Sequence, residues 1–420
     1  MNTITNQPKP LSEKDRIAYL DILRGIAIFF IFSANIVYFS GYFLLPENIL
    51  ENFPFTSVDK IFDFIMYTLV DGKFYSIFSL LFGIGFVVQY NNLKKHNKPF
   101  VPFFRRRMFW LLIIGLCHLT LFWIGDILTL YALLGFILIL FRHKSNKQLL
   151  QWAVALILFP IVHWAFMYVT GWFYPGYFYK LYGEYWQSLG LPMIEMGNGQ
   201  LRPNGMHYFQ IDNLSTFFKA NLKRPVVRLA MILEEGRAFK VLGIFLIGIW
   251  AGRKILNEDI LSNTKLLKRI AFYGFIIGLP ISVFRTVIEL YLRTDAFWDF
   301  MHTLTYTFGT VPLAMAYASA FALICQNTNT WLKWFAPVGR MALSNYIFQT
   351  FISLILFNAF GFGYAGKLGF TSIMGIALGI FICQNIFSRW WLKHFKYGPL
   401  EWVWRQLTYG KRMAIKNRRI

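Results

Sequence analysis

Ten apolar stretches separated by short polar or basic runs set the pattern of this chain. They lie at about 20–43, 58–90, 108–124, 126–141, 148–170, 238–252, 270–292, 299–325, 338–358 and 368–388. Most approach the roughly 20 residues that a helix needs to cross the hydrocarbon core of a bilayer. In lipid every backbone amide must find its partner within the structure, so such runs predict helices. The third and fourth are joined by the tight turn Gly125-Asp126, which predicts a helical hairpin. The second is longer than one crossing requires, and Asp71-Gly72-Lys73 interrupts it. A kink, a tilt or a break is expected there. The predicted fold class is all-α, a polytopic transmembrane bundle of about ten spanning helices. It divides into an amino-terminal bundle over 1–170, an extracytoplasmic loop over 171–237, and a carboxy-terminal bundle with a basic tail over 238–420.

The basic residues predict the orientation. With the amino terminus inside, the inner segments carry Lys9, Lys14 and Arg16, then Lys94, Lys95, Lys98 and Arg105 to Arg107, then Arg142, Lys144 and Lys147. Further along they carry Arg253, Lys254, Lys265, Lys268 and Arg269, then Lys333 and Arg340, and a tail from Arg389 to Arg419. The short outer loops carry Arg293 and Lys367. That asymmetry is the positive-inside pattern, and it predicts both termini in the cytoplasm. The long segment Gly171 to Arg237 falls outside, where the charge rule is weak. A connection of that length has its own structure or function, such as capping an external opening.

Composition supports this picture. The 420 residues are 56% hydrophobic and 15% charged, with 46 Phe and 14 Trp, which suits a lipid-facing surface with interfacial aromatic belts. A net charge of +22 would suggest nucleic acid in a soluble protein. Here the cations lie between apolar runs, which points to topology and to anionic lipids at the cytoplasmic face, with no nucleic-acid partner. Cys117, Cys325 and Cys383 each sit in an apolar run with no CxxC pair, against a disulfide framework or a zinc site. The first apolar run has no cleavage pattern and reads as a retained span. The expected location is the cytoplasmic (inner) cell membrane.

Ionisable groups inside spans are costly and mark candidate sites. Asp21 and Arg24 share one face of the first helix at its inner end, as a structural ion pair or as a site for an anionic substrate group. Asn35 lies deeper on that helix, as an interhelical hydrogen bond or a catalytic group. Asp71 and Lys73, near the middle of the second segment, are expected to bind substrate. His118 precedes Asp126 by eight residues, about two helical turns, so both can share a face, with His118 as base. His163 and His302 lie at similar depth; each suits a helix contact, and three such histidines would also suit a metal. Arg285 and Glu289 form an i,i+4 pair. Gly398-Pro399-Leu400-Glu401-Trp402 begins an amphipathic stretch expected on the inner membrane surface. No P-loop, dinucleotide fingerprint, HExxH or GxSxG elbow occurs.

Several blocks resemble the YeiB-like family of uncharacterised bacterial membrane proteins. They are Leu20-Asp21-Ile22-Leu23-Arg24-Gly25, Gly72-Lys73-Phe74, Gly125-Asp126-Ile127-Leu128, Gly339-Arg340-Met341-Ala342-Leu343-Ser344-Asn345-Tyr346 and Gly398-Pro399-Leu400-Glu401-Trp402. The opening Leu-Asp-x-x-Arg-Gly is also similar to that of the transmembrane acyltransferases, including sugar O-acetyltransferases and the heparan glucosaminide N-acetyltransferase type. That resemblance implies acyl-CoA as co-substrate, with Arg24 near the cytoplasmic donor site and Asn35 at the position of an Asn that follows the motif. The His that comes shortly after that Asn is absent here, and His118 would take its role. Three functions stay open: acyl transfer from acyl-CoA to an outer acceptor, transport of a small anionic solute through Asp71 and Lys73, and a non-catalytic membrane component.

Overall fold

A computed structural model describes residues 17–195, 201–327 and 330–417. The basic residues Lys9, Lys14, Arg16, Arg418 and Arg419, used above for orientation, lie outside them. The described chain folds into eighteen helices. The first seven are α1 (Ala18–Phe39), α2 (Glu47–Leu50), α3 (Thr56–Ile65), α4 (Lys73–Lys95), α5 (Phe100–Leu121), α6 (Leu128–Leu138) and α7 (Asn146–Thr170). The connecting segment that follows holds α8 (Pro175–Ser188), α9 (Gly205–Gln210), α10 (Leu214–Leu222) and α11 (Arg224–Glu234). The last seven are α12 (Arg237–Glu258), α13 (Thr264–Val287), α14 (Ala296–Cys325), α15 (Ala336–Arg340), α16 (Ala342–Phe357), α17 (Phe370–His394) and α18 (Pro399–Tyr409). An antiparallel pair of β1 (Met193–Glu195) and β2 (Leu201–Pro203) departs from a purely helical chain, and among the described residues it is confined to the connecting segment.

Six helices are long and apolar enough to cross a membrane by length and composition: α1, α3 continued through α4, α7, α13, α14 and α17. A seventh arises if residues 331–340 and α16, which meet at 82°, are one bent span. The 126–141 segment is shorter than expected, because its helix starts only at Leu128 and tightens into a 3₁₀ turn at Ile139–Phe141. Inside the second segment α3 widens into a π-helical turn at Met66–Val70, and the chain breaks at Gly72, where φ is 80°. Only glycine adopts that backbone without strain.

The two ends of the chain interleave. α1 packs among α15, α16 and α17, whereas α12 packs against α4 and α7. Close helix crossings rest on glycine, because small residues let backbones approach for van der Waals packing, which acts beside interhelical hydrogen bonds. At the α4–α12 crossing a Cβ on Gly83 would overlap the Phe245 carbonyl and lie 2.8 Å from the Gly248 Cα. At the α1–α15 crossing a Cβ on Gly25 would overlap the Phe335 carbonyl, and one on Gly339 that of Asp21. Arg253 on α12 donates to the carbonyls of Lys144 (2.7 Å) and Arg142 (3.1 Å), closing the exposed end of the α6 turn. Apolar side chains such as Val162, Phe272 and Ile386 stay exposed on α7, α13 and α17, a surface suited to lipid.

The segment 171–237 packs as a folded cap on the helices around it. Trp186, Tyr208, Phe209 and Phe217 form one apolar cluster with Phe32, Ile36 and Phe39 of α1 and with Trp123. Asn221 donates to the Leu121 carbonyl at 3.2 Å, and Arg228 to the Asp126 carbonyl at 3.0 Å. These bonds satisfy acceptors left over where α5 ends.

Candidate functional site

A cavity of about 350 Å³ enters the bundle between α1, α4, α5, α16 and α18. Its mouth is set by the α1–α15 crossing, which carries Arg24 and Arg340 to the same opening. Arg24 Nη1 donates to Asp21 Oδ1 at 2.8 Å. Arg107 from α5 and Arg405 from α18 complete the rim, with the Arg107 guanidinium 3.8 Å over the Trp404 ring. Four arginines thus face two carboxylates, Asp21 and Glu401.

The Gly-Pro-Leu-Glu-Trp block, expected from its amphipathic pattern to lie along a membrane surface, closes this mouth through Glu401. Glu401 Oε1 accepts from the backbone N–H of Leu343 (2.7 Å) and Ser344 (3.1 Å), and Oε2 bonds the Ser344 hydroxyl at 2.5 Å. Those are orphan donors at the start of α16, so a carboxylate from α18 caps a helix it does not belong to. Burial nevertheless pushes the Glu401 carboxyl above its ordinary value, with the hydrogen bonds opposing that shift. Trp404 Nε1 donates to the Arg107 carbonyl at 3.0 Å, fastening α18 to α5.

From the mouth an apolar bore runs past Phe86, Phe104, Met108 and Phe82 to Tyr131 and Tyr346. Along α4 its wall extends from Asn92 to Phe78, a depth of about 21 Å at 1.5 Å per residue. The deep wall includes Ile127 and Leu128, the residues that follow Asp126. Behind it lies the buried His118, its ring 5.2 Å from that of Tyr346. His118 Nδ1 is 2.8 Å from Asp126 Oδ1, and Nε2 is 3.0 Å from the Thr350 hydroxyl. A carboxylate only accepts, so Nδ1 carries the proton and Nε2 takes the Thr350 O–H. Asp126 Oδ2 accepts from Thr129 N at 2.7 Å, tying the pair to the start of α6. The two side chains do not meet along one helix face, because α5 ends at Leu121 and the turn folds Asp126 back. His118 and Asp126 are 2% and 1% exposed. Tyr346 is therefore the wall between the imidazole and the bore.

Asp71 and Lys73 do not pair with one another; each takes a different partner. Lys73 stands at the opposite end of α4 from Lys94 and Lys95, about 33 Å away. Asp71 Oδ2 accepts from Arg285 Nη2 at 2.5 Å, and Lys73 Nζ donates to the Tyr67 carbonyl at 3.0 Å. The expected Arg285–Glu289 pair is also not made. A π-helical turn at Ile288–Leu292 rotates Glu289 away, and it accepts from Arg293 (2.8 Å) while Arg285 Nε donates to His302 (3.1 Å). Asn35 is half-buried, lies outside the cavity lining and makes no side-chain hydrogen bond among the described residues. His163 bonds the Tyr174 hydroxyl, so the three histidines face different partners. No group of three metal-binding side chains occurs among the described residues.

The site residues thus fall into two sets. Asp21 and Arg24 sit at the mouth, and His118 and Asp126 behind the deep wall of the same cavity. Asp71 and Lys73 belong to a separate cluster, and Asn35 to neither. Sequence reasoning passed over Thr350, Tyr346 and Lys240. Lys240 had a signal, a charge within the apolar run 238–252. Tyr346 ends the Gly339–Tyr346 block that carries the family resemblance, and Thr350 had no signal.

Comparison with known proteins places this arrangement in a family. Residues 251–411 match a family described as a protein of unknown function (DUF418). The chain is 32% identical over 419 residues to the uncharacterized protein YxaH of Bacillus subtilis (strain 168), covering 96% of each chain. It is 27% identical over 409 residues to an uncharacterized 39.9 kDa protein in the amylase 3′ region of Bacillus acidopullulyticus, covering 97% of each. It is 26% identical over 414 residues to the uncharacterized protein YeiB of Escherichia coli (strain K12), covering 94% of this chain and 96% of the relative. With near-complete coverage at that identity and several helices apolar enough for a bilayer, the chain belongs to the YeiB-like family of multi-helix membrane proteins.

Proposed function

We propose that this chain is a ten-span protein of the cytoplasmic membrane that moves an acyl group from cytoplasmic acyl-CoA to an acceptor at the outer face. The carrying observation is the single cavity that joins an arginine-lined mouth to the wall of the buried His118–Asp126 pair. Ten crossings result when α5, α6 with its 3₁₀ turn, and α12 are added to the six long helices and the bent pair. Both termini then lie in the cytoplasm, among anionic lipid headgroups that the basic tail attracts.

In this reading Arg24, Arg107, Arg340 and Arg405 hold the phosphates of the donor, because guanidinium groups recognise them bidentately. The acyl chain lies in the apolar bore with its thioester toward Tyr346. His118 Nε2, where the Thr350 hydroxyl now bonds, takes the proton of an acceptor hydroxyl or amine. The freed lone pair attacks the thioester carbonyl, the C–S bond breaks, and the thiolate takes the proton back from the imidazolium. Asp126 holds the tautomer and offsets the transient positive charge, a division of labour known from other hydrolytic and transfer enzymes.

The test uses purified full-length protein with CoA, acetyl-CoA and longer acyl-CoAs. Acyl-CoA raises the melting temperature, and His118→Ala keeps that shift while lowering transfer by at least about 100-fold, the usual contribution of a general base. Absence of a shift with every acyl-CoA, or transfer by His118→Ala at the wild-type rate, refutes the reading.

A further inference from the structure

We propose that the opposite end of the bundle carries a second site, which binds an anionic group, a carboxylate or a phosphate, between Lys73, Lys240 and Arg285. It stands apart from the acyl-transfer reading and survives that reading's failure.

Three cations converge there from three helices, and each is nearly sealed from solvent. Lys73, Lys240 and Arg285 are 0%, 2% and 4% exposed. Lys240 Nζ and the Arg285 guanidinium face the same Tyr306 ring, 3.3 and 4.5 Å from its centre, and that ring packs against Gly72, next to Lys73. The carboxylates nearby do not balance them. Asp71 is taken by Arg285, while Glu235 pairs with Arg237 and Glu289 with Arg293. Among the described residues the two lysines bond only backbone carbonyls, and Lys240 also faces the Tyr306 and Tyr75 rings. Lys73 Nζ donates to Tyr67 at 3.0 Å, and Lys240 Nζ donates to Tyr306 at 3.2 Å while lying 3.3 Å from the Tyr306 ring centre. A buried ammonium costs several kcal/mol unless a negative charge offsets it. Two such groups in one place, when both are protonated, leave an excess of about two positive charges that a bound anion would offset.

Three uncommitted polar atoms belong to residues of the helices that carry or border this cluster. Arg285 uses Nη2 on Asp71 and Nε on His302, but its Nη1 is buried without a partner. Ser282 Oγ, one turn before Arg285, and Thr310 Oγ1, one turn after Tyr306, are also buried without partners. Thr310 packs against Gly72, beside the cluster. Gly72 begins α4 with no side-chain cap, so the amino end of that 23-residue helix adds its own positive potential. Buried polar groups left unpaired call for a missing partner, and here every uncommitted nitrogen is a donor in a field of excess positive charge. The chemistry that satisfies them is an oxyanion. The Asp71 side chain is 41% exposed and marks the way in. A lipid headgroup and a soluble phosphate or carboxylate share that chemistry.

The experiment measures melting of the full-length protein in non-ionic detergent with inorganic phosphate or acetate, each against potassium chloride at equal ionic strength. A second arm uses nanodiscs of phosphatidylcholine with and without phosphatidylglycerol. Wild type melts higher with an oxyanion in at least one arm. A shift with soluble phosphate or acetate identifies a free solute, and a shift only with phosphatidylglycerol identifies a headgroup. Lys73→Met and Lys240→Met, studied separately, lose the shift yet melt without anion at or above the wild-type temperature, because each removes an unbalanced charge. If no arm shifts wild type beyond the chloride control, if the variants keep the shift, or if both melt below wild type without anion, the site is a structural cluster and the proposal falls.

Discussion

Gly83 and Gly85 sit two residues apart on α4, and the structure predicts opposite responses to the same added methyl. Beyond Gly85 nothing lies within 4 Å of an added Cβ. Gly85→Ala therefore gains the helix propensity difference, about 0.8–1 kcal/mol, with no steric cost. At Gly83 the Cβ overlaps the Phe245 carbonyl oxygen and comes within 2.8 Å of the Gly248 Cα. Carbon atoms rest at about 3.5–4.0 Å, so α4 and α12 must part by roughly 1 Å. Backbone cannot rotate out of the way as a side chain can, which places the strain near the top of the 1–3 kcal/mol range for overpacking. Set against the same propensity gain, Gly83→Ala loses about 2 kcal/mol, and the two variants differ by about 3 kcal/mol. Thermal unfolding of both in one detergent reads the order directly. Gly85→Ala melts above wild type and Gly83→Ala below it. A Gly83→Ala protein as stable as Gly85→Ala refutes the close crossing.

Other consequences concern the cavity. Gly85 lines the bore, so Gly85→Phe keeps the fold yet abolishes stabilisation by long-chain acyl-CoA in a thermal-shift titration. Glu401→Ala strips acceptors from two backbone amides and one hydroxyl and costs about 3 kcal/mol, whereas Glu401→Gln keeps an oxygen for the amides and costs about 1 kcal/mol. Because burial raises the Glu401 carboxyl above 4.5, the folded state favours its protonated form. Its stabilising contribution is complete below that value and declines as pH rises through the raised one. The wild-type minus Glu401→Gln stability difference therefore shrinks with rising pH, and chemical denaturation at several pH values checks the sign.

What could be read from sequence follows the range of the interactions involved. Apolar length is local, and the long helices appear where the runs placed them. The 126–141 segment shows the limit, since its first residues are spent on the turn that carries Asp126. The His118–Asp126 contact was accessible from an eight-residue spacing, but the means was a chain reversal, not a helix face. Thr350 reaches the same imidazole from 232 residues away, and nothing local marks it. Arg285 illustrates the opposite failure. Its i,i+4 spacing to Glu289 is ideal for a regular α-helix, but the π-helical turn that begins at Ile288 alters the rotation per residue, and Asp71 from another helix takes the guanidinium. Lys240 obeyed the same rule that singled out Lys73 and was legible by it. The arginines of the mouth were visible as inner-loop charges, but their convergence depends on which helices cross.

The interleaving of α1 with the last helices sets a delay during synthesis. Arg24 and Gly339 are 315 residues apart, which at about 5–20 residues per second is roughly 15–60 s of translation. Through that interval the first helix waits without α15, α16 and α17, carrying Asp21 and Arg24. Asp21 and Arg24 are one turn apart and bond each other at 2.8 Å, so the helix brings its own counter-ion and needs no other segment to stay neutral. The motif that later frames the entrance is also what lets the newborn chain pause there.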